Sequence, residues 1–400
     1  MSRADRLRIL HVLGGLNRGG VETWLLNVMR AIDHRRFETH FVVHTEAAGA
    51  YDPEIRALGG RIIPCPRPSS PWRYGPALRR VLRGHGPYDV VHSHVHHFSG
   101  YVLGVARSVG VPTRIAHSHT DSSIEEGEAG VARRLYVRTM RRWIHRHATA
   151  GFAASRKAAA ALYGSGWALD PRWRTLYYGI DLEQFAAEVD GGRVRRALGL
   201  PEEALVIGHV GRFVRQKNHG FLLRVAAEVA RREPRARLLL VGEGPLRPVM
   251  EREVERAGLG ARVVFAGGRP DVPAVMRGGM DVFVLPSLWE GLGIVLLEAQ
   301  AAGLPCVLAD TVPEEADVSP GHVRRLSLRA PAGDWAQAVV DAWRSAPRAR
   351  ASGAPARMRG GRFDIRTCVR DLEDAYLRLA ASASRGPHPE PATVMRTDAR

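Results

Sequence analysis

Two glutamates, Glu290 and Glu298, stand with seven residues between them in Pro286-Ser-Leu-Trp-Glu290-Gly291-Leu292-Gly293-Ile294-Val-Leu-Leu-Glu298. Glycines ahead of an apolar helical run leave free N–H groups at a helix start, where they and the helix dipole stabilise an anion. Glu298 falls inside that run, among Ile294, Val295, Leu296, Leu297 and Ala299. A carboxylate in such company either accepts from hydroxyls, as of a ribose or a sugar, or reaches solvent from an amphipathic helix. A second pattern is His209-Val-Gly211-Arg212-Phe-Val-Arg215-Gln-Lys217. The planar fork of Arg212 and the point charge of Lys217 suit a diphosphate; a solvated basic turn is the alternative. The third is Gly14-Gly15-Leu-Asn-Arg-Gly19-Gly20-Val-Glu22-Thr23. Glycines at a strand-to-helix turn let the backbone approach an anion, and a tight packing turn accounts for them equally well. The spacing is neither G-x-G-x-x-G nor that of a P-loop.

Histidines gather at His92, His94, His96 and His97, and again at His117 and His119. Period-two spacing places His92, His94 and His96 on one face if their strand continues, which invites a zinc reading. No Cys or acidic ligand accompanies them, and neutral imidazoles at strand ends also suit hydrogen bonds to a sugar. The chain contains no Asp-x-Asp, so no carboxylate–metal clamp on a diphosphate is expected. From Arg133 to Arg146 six arginines interleave with Leu135, Met140, Trp143 and Ile144. That is a basic amphipathic helix, suited to an anionic membrane surface or to covering a sheet.

The elements that position these residues follow from periodicity. Short apolar runs at 8–13, 37–43, 61–63, 89–92, 113–116, 150–153 and 174–177 alternate with helical patterns, and the rhythm returns at 205–210, 237–241, 263–265, 282–285 and 305–308. Such runs are strands buried on both faces, and their alternation with helices implies parallel sheets. The rhythm pauses around 183–200, which reads as a linker between residues 1–182 and 201–365, each half a doubly wound domain with the ligand cleft between them. A last helix is expected over 366–383 and a disordered Pro-rich tail over 384–400.

The 400 residues carry 58 Lys+Arg against 41 Asp+Glu, a net charge of +17, with 45% hydrophobic residues. This balance excludes a disordered chain and calls for an anionic partner. Only two of the basic residues are lysines, Lys157 and Lys217, so a lysine at the diphosphate pattern points to a need for a point charge. Three dispersed cysteines suit a reducing compartment, and neither a signal peptide nor a membrane span is read, so a cytoplasmic protein, at most peripheral on a membrane, is expected.

Together these residues resemble the GT-B glycosyltransferases, and among them the retaining glycosyltransferase family 4, over almost the whole chain. Glu290 and Glu298 match its E-x7-E motif inside PSLWEGLGIVLLEAQAAGLPCV, and HVLGGLNRGGVETWLLNVMR, VVHSHVHHFSGYVLGVARSVGVPTRIAHSH and GHVGRFVRQKNHGFLLRVAAEV resemble its capsular and exopolysaccharide branch. The resemblance implies two Rossmann-like domains and transfer of a hexose-type sugar from a nucleotide-diphosphate sugar, most often a UDP-sugar, to a carbohydrate or lipid-linked acceptor. No metal and no other cofactor is implied. It implies that Arg212 and Lys217 hold the diphosphate, Glu298 the ribose and Glu290 the donor sugar. Gly291, Leu292, Gly293 and Ile294 would supply backbone donors, Gly19 and Gly20 would close on the donor, and Arg269 would lie by the base. His119 matches the family's sugar-contacting histidine, with His117 and His94 as further sugar or acceptor contacts. A nucleotide-sugar epimerase of similar fold is the alternative. A nucleic-acid-binding protein is disfavoured by diffuse charge, and a nicotinamide dehydrogenase by the missing G-x-G-x-x-G.

Overall fold

The computed structural model describes residues 6–65, 71–346 and 354–384; the expected tail lies outside them, except for Ser384. Seven parallel strands, β1 (Leu7–Leu13), β2 (Phe37–Val43), β3 (Arg61–Pro64), β4 (Val90–Ser93), β5 (Thr113–Ser118), β6 (Ala150–Ala153) and β7 (Trp173–Thr175), form a sheet in the order β3-β2-β1-β4-β5-β6-β7. Six more, β8 (Val206–Val210), β9 (Arg237–Val241), β10 (Val263–Gly267), β11 (Val282–Leu285), β12 (Cys306–Ala309) and β13 (Val323–Leu326), form a second in the order β10-β9-β8-β11-β12-β13. Every pairing is parallel, so helices cover both faces and central strands such as β11 (Val-Phe-Val-Leu) are buried throughout. This is the GT-B arrangement of two Rossmann-like sheets.

Three sequence expectations shift. β13 was not anticipated: it is a four-residue edge strand with no fully buried residue, carrying Arg324 and Arg325, and it is fastened by the Arg325 guanidinium on Asp317 and on the carbonyls of Val312 and Pro313. β7 begins and ends earlier than the run at 174–177, although Leu176 N–H still donates to Ala153 O at 2.9 Å. Residues 183–200 hold two short helices, Glu183–Ala186 and Gly191–Ala197. Asp190 caps the second by accepting from Arg193 N–H, and Arg195 Nη2 donates to both oxygens of Asp281 at 2.8 Å, just ahead of β11, while its Nη1 donates to the carbonyls of Glu202 and Ala204. Asp281 also accepts from Val206 N–H at the start of β8. The polarity that reads as a linker is capping and ion pairing that fastens this stretch to the second sheet.

The final helix, Ile365–Ser384, packs on the Gly20–Ala31 helix of the first half. The return is anchored by an isolated bridge between Ile180 and Asp364, by Trp24 Nε1–H on Cys368 Sγ and by Asp33 N–H on Glu373 Oε1. All three cysteines are free and buried. Among the described residues no helix is long and apolar enough to cross a membrane. Leu372, fully buried with Trp24, Phe37 and Tyr376, tests this docking. Leu372→Ala is expected to cost about 2–5 kcal/mol in denaturant unfolding. A loss below about 0.5 kcal/mol would show the helix is not part of the cooperative fold.

Candidate active site

The strand order reverses between β1 and β4 in the first sheet and between β8 and β11 in the second, and crevices form at such reversals. β1 runs into the glycine turn and the Gly20–Ala31 helix; β8 runs into Arg212 and Lys217; β11 runs into the Glu290 loop and the Ile294–Ala301 helix. The two helix starts face each other, and a Cβ placed on Gly20 would lie 3.4 Å from Ile294 Cγ2. Their N-caps are Gly19 and Gly293, neither with a capping side chain; the Ile294–Ala301 helix start is left open to an anion, while in the Gly20–Ala31 helix the Glu22 N–H is already taken by its own carboxylate. Gly293 sits at φ +82°, left-handed backbone that favours glycine, and a Cβ on Gly291 would collide with the His119 carbonyl across the cleft. Leu292 is buried and Ile294 half-buried beside them.

Lys217 Nζ donates to Glu290 Oε1 at 2.6 Å, both side chains being largely buried. Gln216 Nε2 holds Trp289 O and Glu290 Oε2, and Leu288 N–H donates to Gln216 O, which fixes the loop on the Arg215–Lys217 turn. Glu290 is thus engaged with Lys217 rather than open to a sugar. Arg212 is exposed in the cleft. Glu298 is half-buried on the Ile294–Ala301 helix, and burial pushes its carboxyl up to about 7. No hydrogen-bond partner satisfies it among the described residues, unlike Glu290.

Glu22 is the residue that sequence reading passed over. Its carboxylate folds back over the start of its own helix, so close that a Cβ on Gly19 would collide with it. Burial raises its pKa, while its own backbone N–H and the charge of Arg212 in the other half pull it down. The signal was present: a helix-capping glycine followed three residues later by Glu is the back half of a capping box.

The histidines assemble beneath the cleft. His11 joins His92, His94, His117 and His119, and burial lowers the pKa of all five, so they are neutral. His11 Nδ1 meets His94 Nε2 at 2.8 Å, His94 Nδ1 meets His119 Nε2 at 2.8 Å, and His119 Nδ1 meets the Tyr178 hydroxyl. A parallel chain runs from Tyr376 OH through His92 to His117, whose Nε2 has no partner among the described residues. β4 ends at Ser93 and His96 takes a left-handed φ of +51°, so His96 leaves that face and pairs with His97 instead. Both ring nitrogens of His119 are used within the protein, so its free contribution at the cleft is its carbonyl, against Gly291. His11, His92 and His94, and likewise His94, His117 and His119, bring ring nitrogens close enough to hold one metal ion. A nitrogen-only set suits a zinc-like ion and offers nothing to magnesium or manganese.

Arg269 is spent on Asp271 in a two-pronged pair at 2.8 and 2.6 Å, leaving only its backbone for a base. The seam is tied by the Arg215 fork on Glu128 at 2.7 and 2.8 Å, by Arg156 N–H on Glu315 and by Lys157 Nζ on Thr311 O. Both lysines of the chain therefore bind at the cleft or its seam.

Residues 192–342 match the model of the glycosyl transferases group 1, and residues 19–179 that of the glycosyl transferase 4-like domain. EpsF of Bacillus subtilis, assigned as a glycosyltransferase, is 39% identical over 88% of this chain and 90% of its own length. The Escherichia coli UDP-Gal:alpha-D-GlcNAc-diphosphoundecaprenol alpha-1,3-galactosyltransferase is 30% identical over 56% of this chain and 58% of its own. Among solved structures, Anabaena HepE in complex with UDP-glucose superposes with a TM-score of 0.77 at 20% identity, covering 93% of this chain and all of that one.

Glu298 yields a sign. With a pKa near 7 it is mostly protonated at pH 6 and mostly carboxylate at pH 8, and only the carboxylate accepts from two ribose hydroxyls. A nucleotide sugar whose ribose met Glu298, and which does not itself titrate in this range, would therefore bind up to about tenfold more tightly at pH 8 than at pH 6. Calorimetry should show this slope in the wild type and none in Glu298→Gln; an unchanged slope in the variant would remove Glu298 from the donor site.

Proposed function

On the premise that this chain belongs to the glycosyl transferases group 1 family and is a glycosyltransferase acting on nucleotide sugars, we propose that its donor is a UDP-hexose and its acceptor a lipid-linked or growing polysaccharide chain, in exopolysaccharide synthesis on the cytoplasmic side of a membrane. The observation that carries the donor reading is the convergence of two uncapped helix starts with Arg212 and the Lys217–Glu290 pair in one crevice. HepE holds UDP-glucose on the same fold, and the Escherichia coli relative is named for a UDP-sugar donor and a diphosphoundecaprenol acceptor.

Transfer proceeds with retention and without a metal. The acceptor hydroxyl attacks the anomeric carbon from the face of the departing diphosphate. The bond from that carbon to the phosphate oxygen breaks, and the hydroxyl proton passes to the departing phosphate. Charge grows on the leaving diphosphate, where Arg212, Lys217 and the N–H groups at 291–294 are already oriented. Lys217 exchanges Glu290 for the diphosphate, which frees the Glu290 carboxylate for donor-sugar hydroxyls. Glu298 takes the ribose, Gly19 and Gly20 close from the other half, and His119 presents its carbonyl to the sugar, with His117 and His94 fixing the ring behind it. The apposed backbones of Gly291 and His119 exclude water, whose attack is the competing reaction.

Lys217→Ala is expected to lower kcat about 10²–10³-fold with a small change in donor KM. Glu298→Ala is expected chiefly to raise donor KM. Turnover should survive exhaustive chelation; loss restored by zinc would overturn the metal-free reading. A product with inverted anomeric configuration, read by NMR, would overturn retention, and interconversion of the donor sugar without acceptor would favour an epimerase.

A further inference from the structure

Among the described residues, only the histidines at the strand ends of the first sheet gather in threes closely enough to hold a metal ion. His94 follows β4, His117 lies in β5 and His119 follows β5. These three bring one ring nitrogen each within 4.8 Å of one another. His117 is fully buried, His94 nearly so and His119 half-buried, so the open edge of the group is His119, whose peptide lines the cleft against Gly291.

The hydrogen bonds single out which nitrogens can ligate. His117 Nδ1 meets His92 Nε2 at 3.1 Å, and His117 Nε2 is buried with no partner among the described residues. His94 Nε2 meets His11 Nδ1 at 2.8 Å, and His119 Nδ1 meets the Tyr178 hydroxyl. The two remaining nitrogens, His94 Nδ1 and His119 Nε2, meet each other at 2.8 Å. Opening that single bond leaves each of the three imidazoles with one nitrogen free and the other held from behind. One set of tautomers then satisfies every member. His94 Nε2–H donates to His11, His119 Nδ1–H to the Tyr178 oxygen, His117 Nδ1–H to His92, and His92 Nδ1–H to the Tyr376 hydroxyl. Histidines that ligate a metal are held in this way through their second nitrogen, which fixes both ring and tautomer. The other triad, His11, His92 and His94, is buried throughout, and ligation by His92 would break its bond to Tyr376 or to His117.

We infer that His94, His117 and His119 bind one zinc-like divalent ion, which joins the ends of β4 and β5 beneath the cleft. Three imidazoles with a fourth position left to water are a sufficient set for zinc, and without oxygen ligands they are a poor one for magnesium. The rings are neutral, which is the form that ligates. The ion is a staple and takes no part in the transfer. Without it the hydrogen bond between His94 and His119 holds the same two rings, so the chain folds in either state. The inference rests on neither the donor nor the acceptor proposed above.

The untagged full chain, freed of metal by chelation and dialysis, is titrated with cobalt and with zinc. Cobalt is expected to give the strong visible bands of a tetrahedral ion, saturating at one equivalent and abolished by zinc but not by magnesium. Zinc at about a hundred times its Kd should raise the thermal midpoint by about 5 °C. His117→Gln should weaken cobalt binding by about a hundredfold or more, and its metal-free circular dichroism should match that of the metal-free wild type. Tyr178→Phe keeps all three ligands and removes the group behind His119, so it should weaken cobalt binding by about tenfold to a hundredfold. This second variant and the wild-type titration decide the matter if His117→Gln does not fold. Absence of binding by the wild type would overturn the inference, as would the weak bands of octahedral cobalt or uptake of several equivalents, both marks of surface imidazoles. Binding undiminished in His117→Gln would place the ion on His11, His92 and His94 and overturn the assignment. Binding undiminished in Tyr178→Phe would remove His119 from the ligands.

Discussion

The architecture of this enzyme turns on two backbones that meet with no side chain between them. Gly291, leaving β11, lies against the carbonyl of His119, leaving β5, and any Cβ there would collide. The contact brings the ends of two parallel sheets together, sets the Gly20–Ala31 and Ile294–Ala301 helices end to end and leaves a narrow crevice of unsatisfied N–H groups. Parallel sheets direct all strand ends to one edge, so two such sheets facing each other collect chemistry from distant parts of the chain without a long loop.

Charge in the crevice is balanced before any ligand arrives. Lys217 is matched by Glu290, Arg269 by Asp271 and Arg215 by Glu128, while Glu22 lies in the field of Arg212. Only the Lys217–Glu290 pair is largely buried, where an unpaired cation would be costly; the Arg215–Glu128 and Arg269–Asp271 pairs stay open to solvent.

Beneath the crevice, five neutral histidines replace the aliphatic side chains usual at that depth. Their ring nitrogens satisfy one another and two tyrosines, one of them Tyr376 on the final helix. Such a network is stable only when nearly every member is paired, and it lends the His119 peptide a fixed position under the Gly291 contact. The final helix thus reaches the site through a hydrogen bond, although it stands far from it in the chain.

The amino-acid order alone determined the strand–helix alternation, the two parallel sheets, the family and most of the crevice, because apolar period, glycine turns and the Glu290–Glu298 spacing are local. It missed β13 and the two short helices within 183–200, because Arg325–Asp317 and Arg195–Asp281 make polar residues structural only through partners elsewhere. It left Glu298 open between ribose and solvent, and burial decided that it is a carboxyl poised near neutral pH. Its zinc-like row of His92, His94 and His96 dissolved because β4 stops at Ser93, whereas His11, which no local pattern connects to the others, joined the cluster. Tertiary structure alone decided which cations meet which acids and which arginines stay free, since pairing across a fold depends on distance in space and not on spacing along the chain.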